Sequence, residues 1–175
     1  MIIKENEFDI INEALKNRIN KEIKEIKKLY QATVDGGKTY NFHQKCDGIP
    51  NTLVLIKSAG NRRFGGFVSV TWDSNKSIDK EDKNVLLFSL DKQKIYPYKN
   101  EGKSISCYKN RGPIFGNGYT IKIERNPIKE KKLYTNESSP ESNFEFPGDK
   151  NALSEDGKKD FIFAVDYEVF QIIFE

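Results

Sequence analysis

Cysteine and histidine are nearly absent from this chain, and each scarcity excludes a class of chemistry. Two cysteines, Cys46 and Cys107, in 175 residues cannot build a disulfide framework; the expectation is a pair of reduced thiols in a cytosolic protein. The only histidine, His43, precedes Cys46 by one helical turn, which would bring both side chains together, with Asp47 adding a carboxylate. Zinc takes four ligands, or three and a water, and no second Cys/His pair completes the set, so no metal or cofactor residue is assigned. A Cys–His dyad for acyl transfer would need an oriented base and an oxyanion hole, and the chain has no nucleophile elbow. A peroxide-reactive thiol needs only an exposed thiolate, but a carboxylate beside Cys46 would raise its pKa. No catalytic residue is assigned either.

Charge of one sign is also missing. With 29 Lys and Arg against 26 Asp and Glu, the net charge is +3, which does not suggest the dense basic face of a nucleic-acid binder. No apolar run approaches the ~20 residues of a bilayer span. The first residues have neither the apolar stretch of a signal peptide nor the Arg-rich, acid-poor make-up of a transit peptide, so a cytoplasmic location is expected.

What is present reads as one domain, long enough to bury roughly 70% of the surface its unfolded chain exposes. Ile11, Leu15, Ile19, Ile23, Ile26 and Leu29 recur at spacings of three and four, which predicts an amphipathic helix over most of the first 30 residues, with Asp9 as its N-cap. The chain therefore divides into an N-terminal helical segment, residues 1–28, packing on a domain of residues 29–175. Asp35-Gly36-Gly37 stops the helical period, and residues 39–47 read as a short helix carrying Phe42 and Cys46 on one side.

After Pro50 the period becomes two. Leu53-Val54-Leu55-Ile56-Lys57 and the run from Phe64 through Trp72 predict a hairpin, with Phe64, Val68, Val70 and Trp72 on one face. Gly65-Gly66 inside a strand implies a bulge or a closely passing backbone. Further strands are expected at residues 85–90, 104–108 and 119–124. Residues 73–84 and 125–159 read as charged loops. The segment 161–174 is apolar at odd positions up to Val169 and at even positions from Phe170, which predicts a bulge near Glu168 to Phe170 and a strand covered on both sides. Gly112-Pro113-Ile114-Phe115-Gly116-Asn117-Gly118 lacks the Lys-Ser/Thr of a phosphate loop and reads as a glycine-rich turn. The whole pattern predicts an α+β domain built on two antiparallel β-sheets packed as a sandwich, with flanking helices.

Several of these segments, taken in order, resemble the TLDc domain of oxidation-resistance proteins. They are Leu29-Tyr30 through Asp35-Gly36, Phe42-His43 with Lys45-Cys46-Asp47, Thr52 through Lys57, Phe64-Gly65-Gly66-Phe67 with Trp72-Asp73-Ser74, and Leu87-Phe88-Ser89-Leu90. Gly112-Pro113 with Phe115-Gly116 and Gly118, then Tyr167-Glu168-Val169-Phe170, complete the series. The resemblance implies the same sandwich and no established active site. It also implies protection against oxidative stress and association with the vacuolar proton-pumping ATPase. Two departures stand out: Thr120 follows the Phe-Gly-x-Gly turn where relatives usually carry an acidic residue, and the segment after it is Lys-rich. A non-enzymatic binding module is thus the first expectation. A structural subunit of a large protist assembly, such as an axonemal one, is the second, and a thiol-dependent antioxidant enzyme the third. The loops 73–84 and 125–159 are the expected binding surface, with Ile78 and Phe144 as anchors.

Overall fold

A computed structural model describes residues 2–4, 7–117, 119–136, 142–149, 151–154 and 161–175. The chain begins with α1 (Asp9–Ile19), β1 (Ile23–Gln31), α2 (Ala32–Asp35) and α3 (Thr39–Cys46). The strands β2 (Thr52–Ser58), β3 (Arg63–Val68), β4 (Ile78–Lys80), β5 (Leu86–Ser89) and β6 (Lys94–Pro97) follow. Then come β7 (Ile105–Cys107), β8 (Arg111–Phe115), β9 (Ile121–Glu124), β10 (Leu133–Thr135), β11 (Phe161–Ile162) and β12 (Ala164–Phe174). Among the described residues they form two six-stranded antiparallel sheets, ordered β1-β12-β2-β3-β5-β6 and β11-β10-β9-β8-β7-β4. The expected sandwich is present.

The helix predicted over the first 30 residues stops at Ile19, and residues 23–31, which include 23–28 of the expected helical segment, are a strand. Asn20 adopts the left-handed conformation (φ 58°) and returns its N–H to the Lys16 carbonyl, closing α1. Asp9 is the first helical residue rather than the cap; Phe8 stands before it. The apparent helical period beyond Ile19 has a specific origin. In β1 the pairing with β12 slips between Ile23 and Glu25, so Ile23 opposite Phe174 and Ile26 opposite Ile172 share a face although they are three residues apart. One extra residue in a strand turns a spacing of two into three, which mimics a helix.

Two cores result. Val54, Ile56, Phe64, Val68, Trp72, Phe115, Ile121, Ile123, Leu133, Tyr167 and Val169 pack between the sheets, closed at one end by Phe42 and Cys46 of α3. Leu53, Leu55, Phe67, Phe88, Phe170 and Ile172 face the other side of the first sheet, beneath Ile11 and Leu15 of α1 and the segment holding Ile2 and Ile3. Strands of the first sheet are therefore apolar on both faces, which is why β2 reads as a continuous hydrophobic run.

β12 lies between β1 and β2, as a strand apolar on both faces requires. The bulge expected at Glu168 to Phe170 sits elsewhere. Pairing with β2 is regular from Asp166 to Gln171 and slips only between Ala164 and Asp166, while the extra residue opposite Val169 and Phe170 belongs to β1, at Leu29. The double apolar parity comes from coverage of both faces, not from a slipped register.

Gly65 and Gly66 mark a close approach, since the β2–β3 register runs unbroken. A Cβ on Gly65 would stand 1.8 Å from the Val54 carbonyl oxygen, and one on Gly66 would stand 2.6 Å from Cε1 of Phe115 in the facing sheet. Residues 112–115 form a strand, β8, rather than the expected turn; the reversal follows at Gly116 (φ 80°), and Gly118 lies outside the described residues. The region 125–159 is not simply a charged loop. It contributes β10, and its Phe144, Ala152 and Leu153 are buried. Phe144 packs on Tyr98 and cannot serve as an exposed anchor, whereas Ile78, in β4, is exposed.

Candidate functional site

The residues singled out in the sequence separate into three places. The first is the junction of α3 with the β7–β8 turn. His43 is 8% exposed, and each of its ring nitrogens meets an acceptor. Nδ1 lies 2.8 Å from the Asp47 carboxylate; Nε2 lies 2.7 Å from the Arg111 carbonyl and 3.1 Å from that of Tyr108. Neither a carboxylate nor a carbonyl donates, so the doubly protonated ring is the form that satisfies all three contacts. Burial works against the charge, but Asp47 and the two carbonyls outweigh it and raise the His43 pKa above the ordinary histidine value. The second Asp47 oxygen accepts the Ser74 N–H at 2.8 Å. Burial opposes that ionisation, yet His43 and Ser74 hold the carboxyl below its usual range.

With both nitrogens donating, His43 has no lone pair for a metal or for the proton of a nucleophile. Cys46, next to it in the fold, lies wholly in the inter-sheet core; burial first, and the Asp47 carboxylate second, push its thiol pKa far up. Cys107 is buried too, and its thiol is raised for the same primary reason. Among the described residues no group of three His, Cys, Asp or Glu side chains is disposed to hold a metal ion. Trp72 completes this place, edge-on to Phe42 and Phe115 with ring centroids 5.8 and 5.7 Å away, its Nε1–H donating to Thr52 Oγ1 at 2.9 Å.

The second place is the seam between β1, α2 and β12. Asp35 accepts the Gln31 N–H at 2.8 Å and pairs with Lys45 at 3.1 Å, closing the tight α2 turn. Gly36 (φ 99°) presents its carbonyl to the Tyr30 hydroxyl at 2.7 Å. Glu168 is fully buried; it accepts the Ile2 N–H at 2.7 Å and the Lys28 ammonium at 2.8 Å, and that ammonium also lies 5.6 Å from the Phe170 ring centroid. These side chains anchor the N-terminal segment and β1 to β12. The third place is close packing: Gly66 meets Phe115 across the sheets, Gly65 lies on the Val54 carbonyl of the adjacent strand, Gly112 lies on Ile123 of β9, and Gly116 lies beside Thr120 and Asn143.

The sequence did not disclose a fourth feature, the outer face of the second sheet. Ile121, Ile123 and Leu133 point into the core, so Lys122, Glu124 and Tyr134 point out. Cross-strand pairing aligns Phe161, Tyr134 and Lys122 in one row that continues through Ile114 and Ser106 to Asp79. The Lys122 ammonium sits 4.5, 5.2 and 5.3 Å from the ring centroids of Tyr119, Tyr134 and Phe161. Arg111 lies 5.5 Å from the Tyr108 ring centroid and 5.9 Å from that of Tyr119, and Lys132 lies 5.9 Å from that of Phe161. Its members come from separate strands and the turns between them, and only the alternation of Lys122 and Glu124 with Ile121 and Ile123 carried a trace of it.

A family model described as TLDc domain matches residues 1–173 of this chain. No curated protein matches it.

Proposed function

We propose, from the premise that this chain belongs to the TLDc domain family, that it is a non-enzymatic protein-binding module. In this reading it works in the cytosol, associates with the vacuolar proton-pumping ATPase and contributes to resistance against oxidative stress. The observation that carries the reading is where the chemically capable side chains are spent. His43, Asp47, Asp35 and Glu168 are each tied to backbone or ion-pair partners that hold elements together, and both thiols are buried with their pKa values raised. Buried thiols held in the protonated form are poor nucleophiles toward peroxide. That leaves the surface as the means of action, as in a rigid scaffold that recognises a partner.

Affinity purification of the tagged full chain from native extract tests the reading. Recovery of peripheral ATPase subunits in stoichiometric amount is the expected result. Recovery of axonemal or other large-assembly components instead would refute it in favour of a scaffold role.

A further inference from the structure

We propose that β1 is the interface of a homodimer. Two copies of this chain pair their β1 strands antiparallel about a two-fold axis through Ile26, which joins their first sheets into one. The inference goes beyond the reading above and does not depend on the ATPase as a partner.

Three observations carry it. First, β1 is the long uncovered sheet edge among the described residues. The opposite edge of its sheet, β6, is covered by residues 143–145, whose backbone bonds to Pro97 and Lys99. The second sheet ends on β4 and β11, three and two residues long. β1 has nine residues, and Lys24 through Lys28 are all exposed. Second, its backbone offers bonds outward. Ile172 of β12 donates its N–H to the Asn51 carbonyl, on the β2 side. In an antiparallel ladder opposed residues either point their N–H and C=O at each other or both point them away. Ile26, opposite Ile172, therefore directs both groups toward the free edge. Its side chain is 41% exposed, an apolar residue at the centre of an edge where a strand guarded against pairing would carry charge.

Third, the charges beside Ile26 complement themselves. With Ile26 opposite Ile26 of a second copy, Glu25 lies opposite Lys27 and Lys27 opposite Glu25. These are non-hydrogen-bonded pairs, in which side chains come closest. Among the described residues neither Glu25 nor Lys27 has an ion-pair partner in its own chain. Lys28, which would meet Lys24 of the second copy, is already paired with Glu168 at 2.8 Å. A foreign strand would have to supply Lys, an apolar residue and Glu in matching order; a second copy presents them by symmetry. The bulges at Lys24 and Leu29 confine regular pairing to the residues between them, so the dimer is weak and reversible.

Sedimentation equilibrium of the full chain at rising concentration tests this. A monomer–dimer equilibrium is expected, weakened about tenfold by Glu25→Lys and by Lys27→Glu, since each sets two like-charge pairs across the axis. Glu25→Lys/Lys27→Glu exchanges the signs, restores both pairs and should return the parent affinity. Both positions are exposed, and thermal unfolding confirms the fold of each variant. Ile26→Cys places two thiols on residues about 5.5 Å apart at Cα, within disulfide reach. Both native thiols are buried, so oxidation of that variant should give a covalent dimer. A parent chain that stays monomeric at millimolar concentration, or one that associates beyond two copies, would overturn the proposal. So would a dimer indifferent to the single charge reversals, a double variant no tighter than either of them, or an Ile26→Cys chain that fails to cross-link.

Discussion

Replacing His43 by Gln should destabilise the protein in a pH-dependent way, and the size follows from the contacts of the ring. The imidazolium donates to Asp47 and to the Arg111 and Tyr108 carbonyls. A hydrogen bond to a charged group contributes about 1.5–3 kcal/mol, and a buried acceptor left without its donor costs about 1–3 kcal/mol. The Asp47 side chain is 21% exposed and can recover water, so the losses do not add fully; about 3 kcal/mol near neutral pH is expected for His43→Gln. The pH dependence has a definite sign. The folded-state pKa of His43 lies above its unfolded value of about 6.5. Its stabilisation is therefore complete below about pH 6.5 and is lost as pH rises through the folded-state value. With one histidine in the chain, no second imidazole titrates in that window. Urea unfolding at a series of pH values should show the gap between parent and variant narrowing to about 1 kcal/mol once the parent ring is neutral, since one donor remains. A gap that stays constant from neutral to alkaline pH would refute the imidazolium, as would an NMR signature of a single neutral tautomer at pH 7.

Three further perturbations probe the rest of the fold. Gly65→Ala should cost about 3 kcal/mol or more in chemical denaturation, because its Cβ would enter the Val54 carbonyl rather than a yielding side chain. Cys46 and Cys107 should react with a thiol reagent only as fast as the protein unfolds, and a Cys46→Ala/Cys107→Ala variant should keep its full effect in a peroxide-survival assay; immediate labelling in the native state would contradict their burial. Deleting residues 165–175 removes most of the strand that joins β1 to β2, so cooperative unfolding should vanish from thermal melts, and a surviving sharp transition would show that β12 is dispensable.

The hairpin β2–β3 and the helix α3 were legible because each is local: two apolar runs separated by Gly60-Asn61, and a turn that sets Phe42 over Cys46. The β1 strand was not, because its bulges at Lys24 and Leu29 arise from pairing with β12, a partner some 140 positions later in the chain, as the Lys28–Glu168 contact shows. Strands β4, β10 and β11 are two or three residues long, too short to display any period. The helical spacing of His43 and Asp47 could be read directly. That His43 is charged could not, since its two carbonyl partners come from the β7–β8 turn.

Composition and local pattern by themselves settled the class of the domain, its apolar strands, its scarcity of nucleophiles and ligands, and the ordered motifs of the family. These depend on residue types and short spacings, which the linear chain carries in full. Tertiary structure alone decided which residues meet: that an isolated histidine pairs with Asp47 and two backbone carbonyls, that Glu168 is buried on Ile2 and Lys28, and that lysine, arginine and aromatic side chains from separate strands converge on one face. Cross-strand register places those side chains side by side, and register is set by the packing of two complete sheets rather than by any one segment.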